Sequence, residues 1–299
     1  MLNGKQSAAL ATARNLLDAL SMMSLMIVSM LSASSPALPV WVRASGDYSR
    51  EQPRRLAEAQ VPLEPVQRKR MKDLQYDRMG DYEGVPLEQI LRSYEAPKEV
   101  DTALLHFSNE MLVPVPLREL EKLGVFVAVR TCSAAACTAE FAPVAKKDQP
   151  WADRRPIRFT SNKVVVVAAA DKRFSPFRHT STLTGIELVN GRAYDRQFEV
   201  SEAPNVRAGL ATFRERCQFC HGARGVGANF GWDYVRPIAL YTYRSPKSLA
   251  MHVRHRESDA PAKGLMMPAI ADVDDAAAGA LWELLEAFAK NPLQPYTVP

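Results

Sequence analysis

Residues 217 to 221 read Cys-Gln-Phe-Cys-His, and this short stretch constrains the fold of the 299-residue chain more strongly than its composition does. Two thiols stand with two residues between them, and a histidine follows the second thiol directly. Three kinds of site use such a pair, namely a covalent haem, half of a zinc site and a thioredoxin-like redox pair. The residues around the motif distinguish these three.

The neighbouring sequence favours haem. A structural zinc site needs about four ligands, and the sequence has no second Cys or His pair at a suitable spacing. A thioredoxin-like pair expects a βαβ setting, which this segment lacks. Two thiols at this spacing can form thioethers with both vinyl groups of one porphyrin, and the next histidine then lies beneath the iron. The sequence therefore predicts one covalent haem c held by Cys217 and Cys220, with His221 as the proximal iron ligand.

Two helices are predicted around this motif. Residues 206–216 lead into it, and the Ala- and Leu-rich residues 276–290 begin behind Asp272 and Asp274 and stop before Pro292. An aspartate at a helix start accepts hydrogen bonds from unpaired N–H groups and suits the helix dipole. Loops rich in glycine and proline separate the two helices, and no strand pattern appears in this part of the chain.

From residue 201 to residue 299 the chain resembles the class I c-type cytochromes. The resemblance depends on the motif and on the apolar faces of the two predicted helices. The residues on those faces are Gly209, Phe213, Trp282, Leu284 and Leu285. The resemblance implies an all-α cytochrome c domain, in which the small residue at 209 lets the last helix cross the first one closely.

The same resemblance implies a methionine as the sixth iron ligand. Residues 264–269 read Gly-Leu-Met-Met-Pro-Ala and match the family's loop before the last helix. Met267 directly precedes the proline and is the expected distal ligand, with Met266 as the second choice. His252 and His255 are an alternative, because one of them could ligate the iron and give a bis-histidine haem.

After the motif, the family has a glycine-rich loop and a proline whose carbonyl receives the N–H of the ligating histidine. The glycines of residues 222–231 match that loop. The carbonyl of Pro237, or of the backbone around it, is expected to accept this N–H, and such a bond would fix the imidazole and tune the iron. The resemblance also implies that the haem edge near Phe219 faces redox partners.

Residues 79–200 have a different pattern of apolar residues. A short helical pattern comes first, and apolar, β-branched runs separated by Pro, Gly and Asn follow it. Strands mixed with few helices, without regular alternation, predict a β-rich α+β domain ahead of the cytochrome domain. The predicted strands lie at residues 103–107, 125–129, 157–159, 163–169 and 185–189.

This region weakly resembles the molybdopterin-binding domain of sulfite oxidase-type enzymes. The resembling positions are residues 84–91, Asp101, Ser108, residues 115–117 and residues 182–190. Catalytic members of that family ligate molybdenum through a cysteine. Only Cys132 and Cys137 are candidates here, and neither has a matching context. The resemblance therefore implies a degenerate domain without molybdopterin, used for docking or assembly.

The N-terminal part predicts export. Residues 1–37 combine basic residues, a short apolar run and small residues of the kind found at a cleavage site, which is typical of a secretory signal. An uncleaved membrane anchor is the alternative. Residues 38–78 are rich in charge and are predicted to be a linker or peripheral segment. In an oxidising compartment Cys132 and Cys137 are expected to form a local disulfide.

Together these features predict a periplasmic mono-haem electron carrier rather than an enzyme. Its expected partners are an exported dehydrogenase, a molybdoenzyme among the candidates, and a downstream cytochrome or terminal oxidase. The formal net charge of +5 favours acidic partners and is too diffuse to indicate nucleic-acid binding. Membrane contact is expected only if the signal stays uncleaved. Two alternatives remain: an oxidoreductase subunit with a substrate or molybdopterin site in the N-terminal domain, and a haem-based sensor with an open sixth position.

Overall fold

The computed structural model describes most of the chain from residue 66 to residue 291 and one strand before it. The described residues are 41–45, 66–73, 78–92, 94, 98–138, 163–166, 177, 180, 183–254, 267 and 270–291. The predicted signal at 1–37, the strand predicted at 157–159, Met266 and His255 lie outside them. The described residues all belong to one compact unit.

A four-stranded mixed sheet, sheet I, occupies the middle of this unit. Its strand order is β1-β9-β4-β5; β1 runs parallel to β9, and the other pairs are antiparallel. The strands are β1 (Trp41–Ser45), β4 (Thr102–Phe107), β5 (Leu112–Pro116) and β9 (Leu183–Val189). The short β4–β5 turn contains Glu110, whose backbone takes the left-handed conformation at φ 66°.

A second sheet, sheet II, is antiparallel throughout. Its order is β2-β3-β6-β7, with β8 also paired to β6. The strands are β2 (Gln67–Asp73), β3 (Arg78–Pro86), β6 (Val125–Cys132), β7 (Cys137–Thr138) and β8 (Lys163–Val166). Helix α1 (Leu87–Arg92) follows β3 directly, and α2 (Leu120–Leu123) ends at Gly124, whose left-handed backbone closes the helix.

Two stretches of residues 38–78, which the sequence predicted to be a charged linker or peripheral segment, are strands in the structure. They contribute β1 to sheet I and β2 to sheet II. Strand β2 reads Gln-Arg-Lys-Arg-Met-Lys-Asp, and of its side chains Met71 is buried while residues 67–70 are exposed. Because β2 pairs its backbone with β3, a polar sequence can still form a strand there.

Four further helices complete the fold: α3 (Gly191–Arg196), α4 (Pro204–Thr212), α5 (Pro246–Arg254) and α6 (Asp275–Lys290). Asn190 caps α3, and Asp274 caps α6 by accepting from the N–H of Ala277 at 2.8 Å, as the sequence predicted for an aspartate there. Among the described residues, no helix combines the length and the apolar character needed to cross a bilayer.

The predicted close crossing of the two helices is confirmed. A Cβ added at Gly209 on α4 would overlap the backbone carbonyl of Ala280 on α6. It would lie only 2.6 Å from the carbonyl carbon. Phe213 is fully buried next to the crossing, and its ring centroid lies 5.8 Å from that of Phe288. Glycine at 209 is therefore required by the distance between the helices.

The described residues have two apolar cores, and sheet I separates them. In β4, Ala103 and Leu105 point into the first core, which sheet II and α1 complete. Leu104 points the other way, into the second core with the C-terminal helices. Strand β9 repeats this alternation with Ile186 in the first core and Val189 in the second, as the two-residue period of a strand requires.

The predicted fold class, an α+β domain followed by an all-α cytochrome domain, is wrong. The described structure is a mixed α/β fold with many antiparallel strands and six α-helices. The C-terminal part itself contains a two-stranded ribbon, β10 (Gly222–Ala223) and β11 (Val226–Gly227). Its helices bury apolar faces against Leu104, Leu112 and Val189 of sheet I, so strands form one wall of their core.

Candidate haem-binding site

The Cys-x-x-Cys-His motif lies in a tight turn that follows α4. The helix continues as a wider π-helical turn over Phe213–Cys217. The carbonyl of Cys217 then accepts hydrogen bonds from the N–H groups of Cys220, at 3.1 Å, and His221, at 2.9 Å. This turn brings the three predicted haem-binding residues together, with Cys217 in the second core and Cys220 in the first.

The two motif cysteines are buried, free thiols. Burial raises the pKa of both thiols to about 12, although the Tyr234 hydroxyl, hydrogen-bonded to Cys217, opposes part of this rise. At neutral pH both sulfurs therefore stay protonated.

His221 is held with one nitrogen available for a metal. Its Nδ1–H donates to the carbonyl of Trp232 at 2.8 Å, since a carbonyl can only accept. The other nitrogen, Nε2, then carries the lone pair. Loss of hydration lowers the pKa of His221, opposed by the Trp232 carbonyl and by Asp233, so the imidazole is neutral and able to ligate.

The carbonyl that receives this N–H belongs to Trp232 and not to Pro237, so the prediction for Pro237 is wrong. The type of bond is as expected, but the loop reaches the imidazole five residues earlier. Asp233 shapes the loop, because its carboxylate accepts from the backbone N–H groups of Gly225 at 2.6 Å, Val235 at 2.7 Å and Arg236 at 3.0 Å. These bonds place the Trp232 carbonyl beside the imidazole.

Two further neighbours restrict the imidazole. The ring of Tyr234 stacks on it with centroids 4.6 Å apart and an angle of 11° between the planes. A Cβ at Gly231 would overlap the imidazole, 2.5 Å from Nδ1 and 2.7 Å from Nε2. Trp232, Tyr234 and Gly231 were not recognised as site residues in the sequence, because only the path of the folded loop brings them to His221.

A cavity of about 280 Å³ opens beside the motif. Cys220, His221 and Met267 all line it, so the predicted proximal and distal ligands reach one space. His252 lines the same cavity, and the histidine alternative for the sixth ligand therefore stays open. The remaining walls are mostly aromatic and apolar, with Phe230, Trp232, Tyr234, Leu240, Tyr243 and Ile270 among them.

These residues fit a c-type haem. Two adjacent thiols can carry the porphyrin, a neutral imidazole presents Nε2, and a half-buried thioether reaches the cavity from another part of the chain. Apolar and aromatic walls suit the porphyrin faces.

The other cysteine pair differs from this one. Cys132 and Cys137 form the predicted disulfide across the β6–β7 pair. Glu83 lies close enough to both sulfurs to suggest a metal cluster, and its carboxylate pairs with Arg130 at 3.2 Å. Because the two sulfurs are bonded to each other, neither is a thiolate that could ligate molybdenum or another metal.

Comparison with known proteins adds no assignment. No family model matches the chain, and no curated protein matches it significantly.

Proposed function

We propose that this protein is an exported mono-haem c-type cytochrome that carries single electrons between an exported dehydrogenase and a downstream cytochrome or terminal oxidase. The observation that supports this most directly is the arrangement at His221. A neutral imidazole with Nδ1–H committed to Trp232 directly follows the free thiol of Cys220 in the chain, and both residues line a cavity that Met267 also lines.

The residues of the chain have separate roles in this proposal. Cys217 and Cys220 hold the porphyrin through thioethers, His221 provides the proximal ligand, and Met267 provides the distal one. The bound haem supplies a one-electron Fe(III)/Fe(II) couple. Because a thioether and apolar burial both favour the ferrous state, the potential is expected to exceed that of a bis-histidine haem. If His221 and Met267 both ligate the iron, substrates would be kept from the metal, which favours electron transfer over catalysis.

The disulfide supports the proposed location. Cys132 and Cys137 are joined although their hairpin is partly exposed, and such a bond persists in an oxidising compartment such as the periplasm. A secretory signal in residues 1–37 would take the chain there.

Visible and near-infrared spectra of the haem-loaded protein test the proposed function. We expect low-spin spectra in both oxidation states, reversible one-electron reduction and no carbon monoxide binding to the reduced protein at neutral pH. Met267→Ala should lose the Met–iron charge-transfer band, whereas His252→Ala, which changes another residue of the same cavity, should keep it.

Two results would contradict the proposal in different ways. A low-spin spectrum without the Met–iron charge-transfer band would assign the sixth ligand to His252 if His252→Ala changes it and Met267→Ala does not. High-spin haem that binds carbon monoxide in the wild type would indicate an open site, and the sensor function would replace electron transfer.

A further inference from the structure

The β4–β5 turn of sheet I is bonded to the haem-attachment motif and to the loop that follows it. The N–H of Leu112 donates to the carbonyl of Phe219, inside the motif, at 3.1 Å. The carbonyl of Glu110 accepts from the N–H of Asn229, in the loop, at 3.0 Å. The Glu110 carboxylate also accepts from the side-chain amide of Asn229 at 2.9 Å. A single turn therefore holds the chain at two points around the candidate haem site.

Glutamate is an unusual residue for position 110. The turn closes there, because the N–H of Glu110 donates to the carbonyl of Phe107 at 2.8 Å and the N–H of Phe107 donates to the carbonyl of Met111 at 3.1 Å. With φ at 66°, Glu110 takes the left-handed conformation that glycine usually supplies in such a hairpin. A larger residue in this conformation costs free energy and is often found at functional positions. The bond from Asn229 gives a reason for a carboxylate here.

The loop that Glu110 holds is the same loop that restricts His221. Two residues after Asn229, the N–H of Gly231 donates to the carbonyl of Cys220 at 2.6 Å. The next residue, Trp232, provides the carbonyl that accepts the Nδ1–H of His221 at 2.8 Å. Because only two residues separate Asn229 from Trp232, a displacement at Asn229 changes the bond at the imidazole.

We propose that Glu110 is a positioning residue, which acts through Asn229 to hold the Trp232 carbonyl against the Nδ1–H of His221 and so tunes the haem iron. This inference rests on the proposed function. The hydrogen bond that His221 donates makes its imidazole more basic, and a more basic ligand favours ferric over ferrous iron. A looser loop weakens that bond and raises the midpoint potential. In this proposal the strands before the motif supply part of the haem site.

The midpoint potential of the haem-loaded protein tests this role in two substitutions of Glu110. Both Glu110→Gly and Glu110→Gln remove one negative charge, so the effect of charge on the potential is common to them. Glutamine keeps a side-chain oxygen that can accept from Asn229, whereas glycine has none and suits the left-handed backbone. We expect the potential of Glu110→Gly to lie above that of Glu110→Gln.

Two further measurements separate positioning from a local effect at residue 110. Asn229→Ala removes the donor at the other end of the bond without changing the charge, and it should also raise the potential. The double variant Glu110→Gly/Asn229→Ala should show no more than the larger single effect, because both substitutions break one bond. Hydrogen exchange of the Gly231 N–H should be about tenfold faster in Glu110→Gly and within about twofold of wild type in Glu110→Gln.

Equal potentials and equal Gly231 exchange in Glu110→Gly and Glu110→Gln, each with a full complement of low-spin haem, would overturn this inference and leave the proposed function intact. Additive effects in the double variant would also overturn it. Failure of Glu110→Gly alone to take up haem would support the inference, whereas the same failure in Glu110→Gln would contradict it. Absence of covalent haem from the wild type would overturn the proposed function, and this inference with it.

Discussion

The imidazole of His221 is restricted on three sides, by the Trp232 carbonyl, the Tyr234 ring and the close approach of Gly231. Each contact removes rotational freedom from the ring before any metal arrives. Contacts of this kind around a ligating histidine fix its tautomer and orientation. The Tyr234 hydroxyl also bonds to Cys217, so one residue orders both a thiol and the imidazole.

Gly231→Ala should displace the His221 ring, because the new methyl group would overlap it. We expect a cost of about 1–3 kcal/mol in the stability of the haem-loaded protein, together with partial conversion of the ferric haem to high spin. Thermal unfolding and the visible spectrum measure the two effects. Gly279→Ala is the control, since nothing lies within 4 Å of a Cβ there and the spectrum should not change. An unaltered low-spin spectrum in Gly231→Ala would contradict this account.

At the scale of single residues, the sequence predicted the contacts between residues that are close together in the chain. The adjacency of Cys217, Cys220 and His221 follows from one tight turn, and the Cys132–Cys137 disulfide from a hairpin. The carbonyl partner of His221 could not be predicted in the same way. Its identity depends on how the loop bends around the carboxylate of Asp233, twelve residues after His221, and spacing alone does not determine that path.

Among the secondary-structure elements, the α4–α6 crossing positions the site. Helix α4 leads directly into the motif, so its place against α6 sets where the thiols lie. The contact surface contains a glycine at 209, and Phe213 and Leu284 are fully buried beside it. A small residue at a helix crossing allows the backbones to approach, and larger side chains on either side fill the space.

Gly209→Ala should force α4 and α6 apart, because a methyl group there meets backbone atoms of Ala280 that cannot rotate away. We expect the free energy of unfolding to fall by about 2 kcal/mol, measured by denaturant titration. Gly279→Ala places the same substitution in α6 where space is open, and it should raise stability by about 0.5–1 kcal/mol. Equal effects of the two substitutions would show that the crossing is not tight.

Elements with a strong local pattern could be predicted, strands as well as helices, and the ends of β4, β6 and β9 lie within three residues of the predicted ones. In the sequence, the capping aspartate marks the start of α6 and the proline after it marks the end. The predicted start at residue 276 differs from the observed Asp275 by one residue. Strand β2 was missed because its exposed edge carries Arg and Lys, and its pairing with β3 supplies order that its own composition does not indicate.

For the whole molecule, the shared sheet is the feature that the sequence did not reveal. Strand β4 is buried on both faces, and the consecutive residues Leu104 and Leu105 belong to different cores. A continuous apolar run of this kind shows that both faces are covered but not by which elements. The sequence predicted an all-α domain because it shows the apolar faces of the helices. It does not show that strands of sheet I pack against those faces.

The intact mass of the protein, produced with haem-attachment machinery and denatured before measurement, tests the central claim most directly. We predict that the wild type and Cys132→Ser/Cys137→Ser each carry one covalent haem, while Cys217→Ser/Cys220→Ser carries none. The two variants remove one cysteine pair each, so the comparison separates the motif from a general need for cysteines. A wild type without covalent haem, or haem retained after loss of Cys217 and Cys220, would contradict the account.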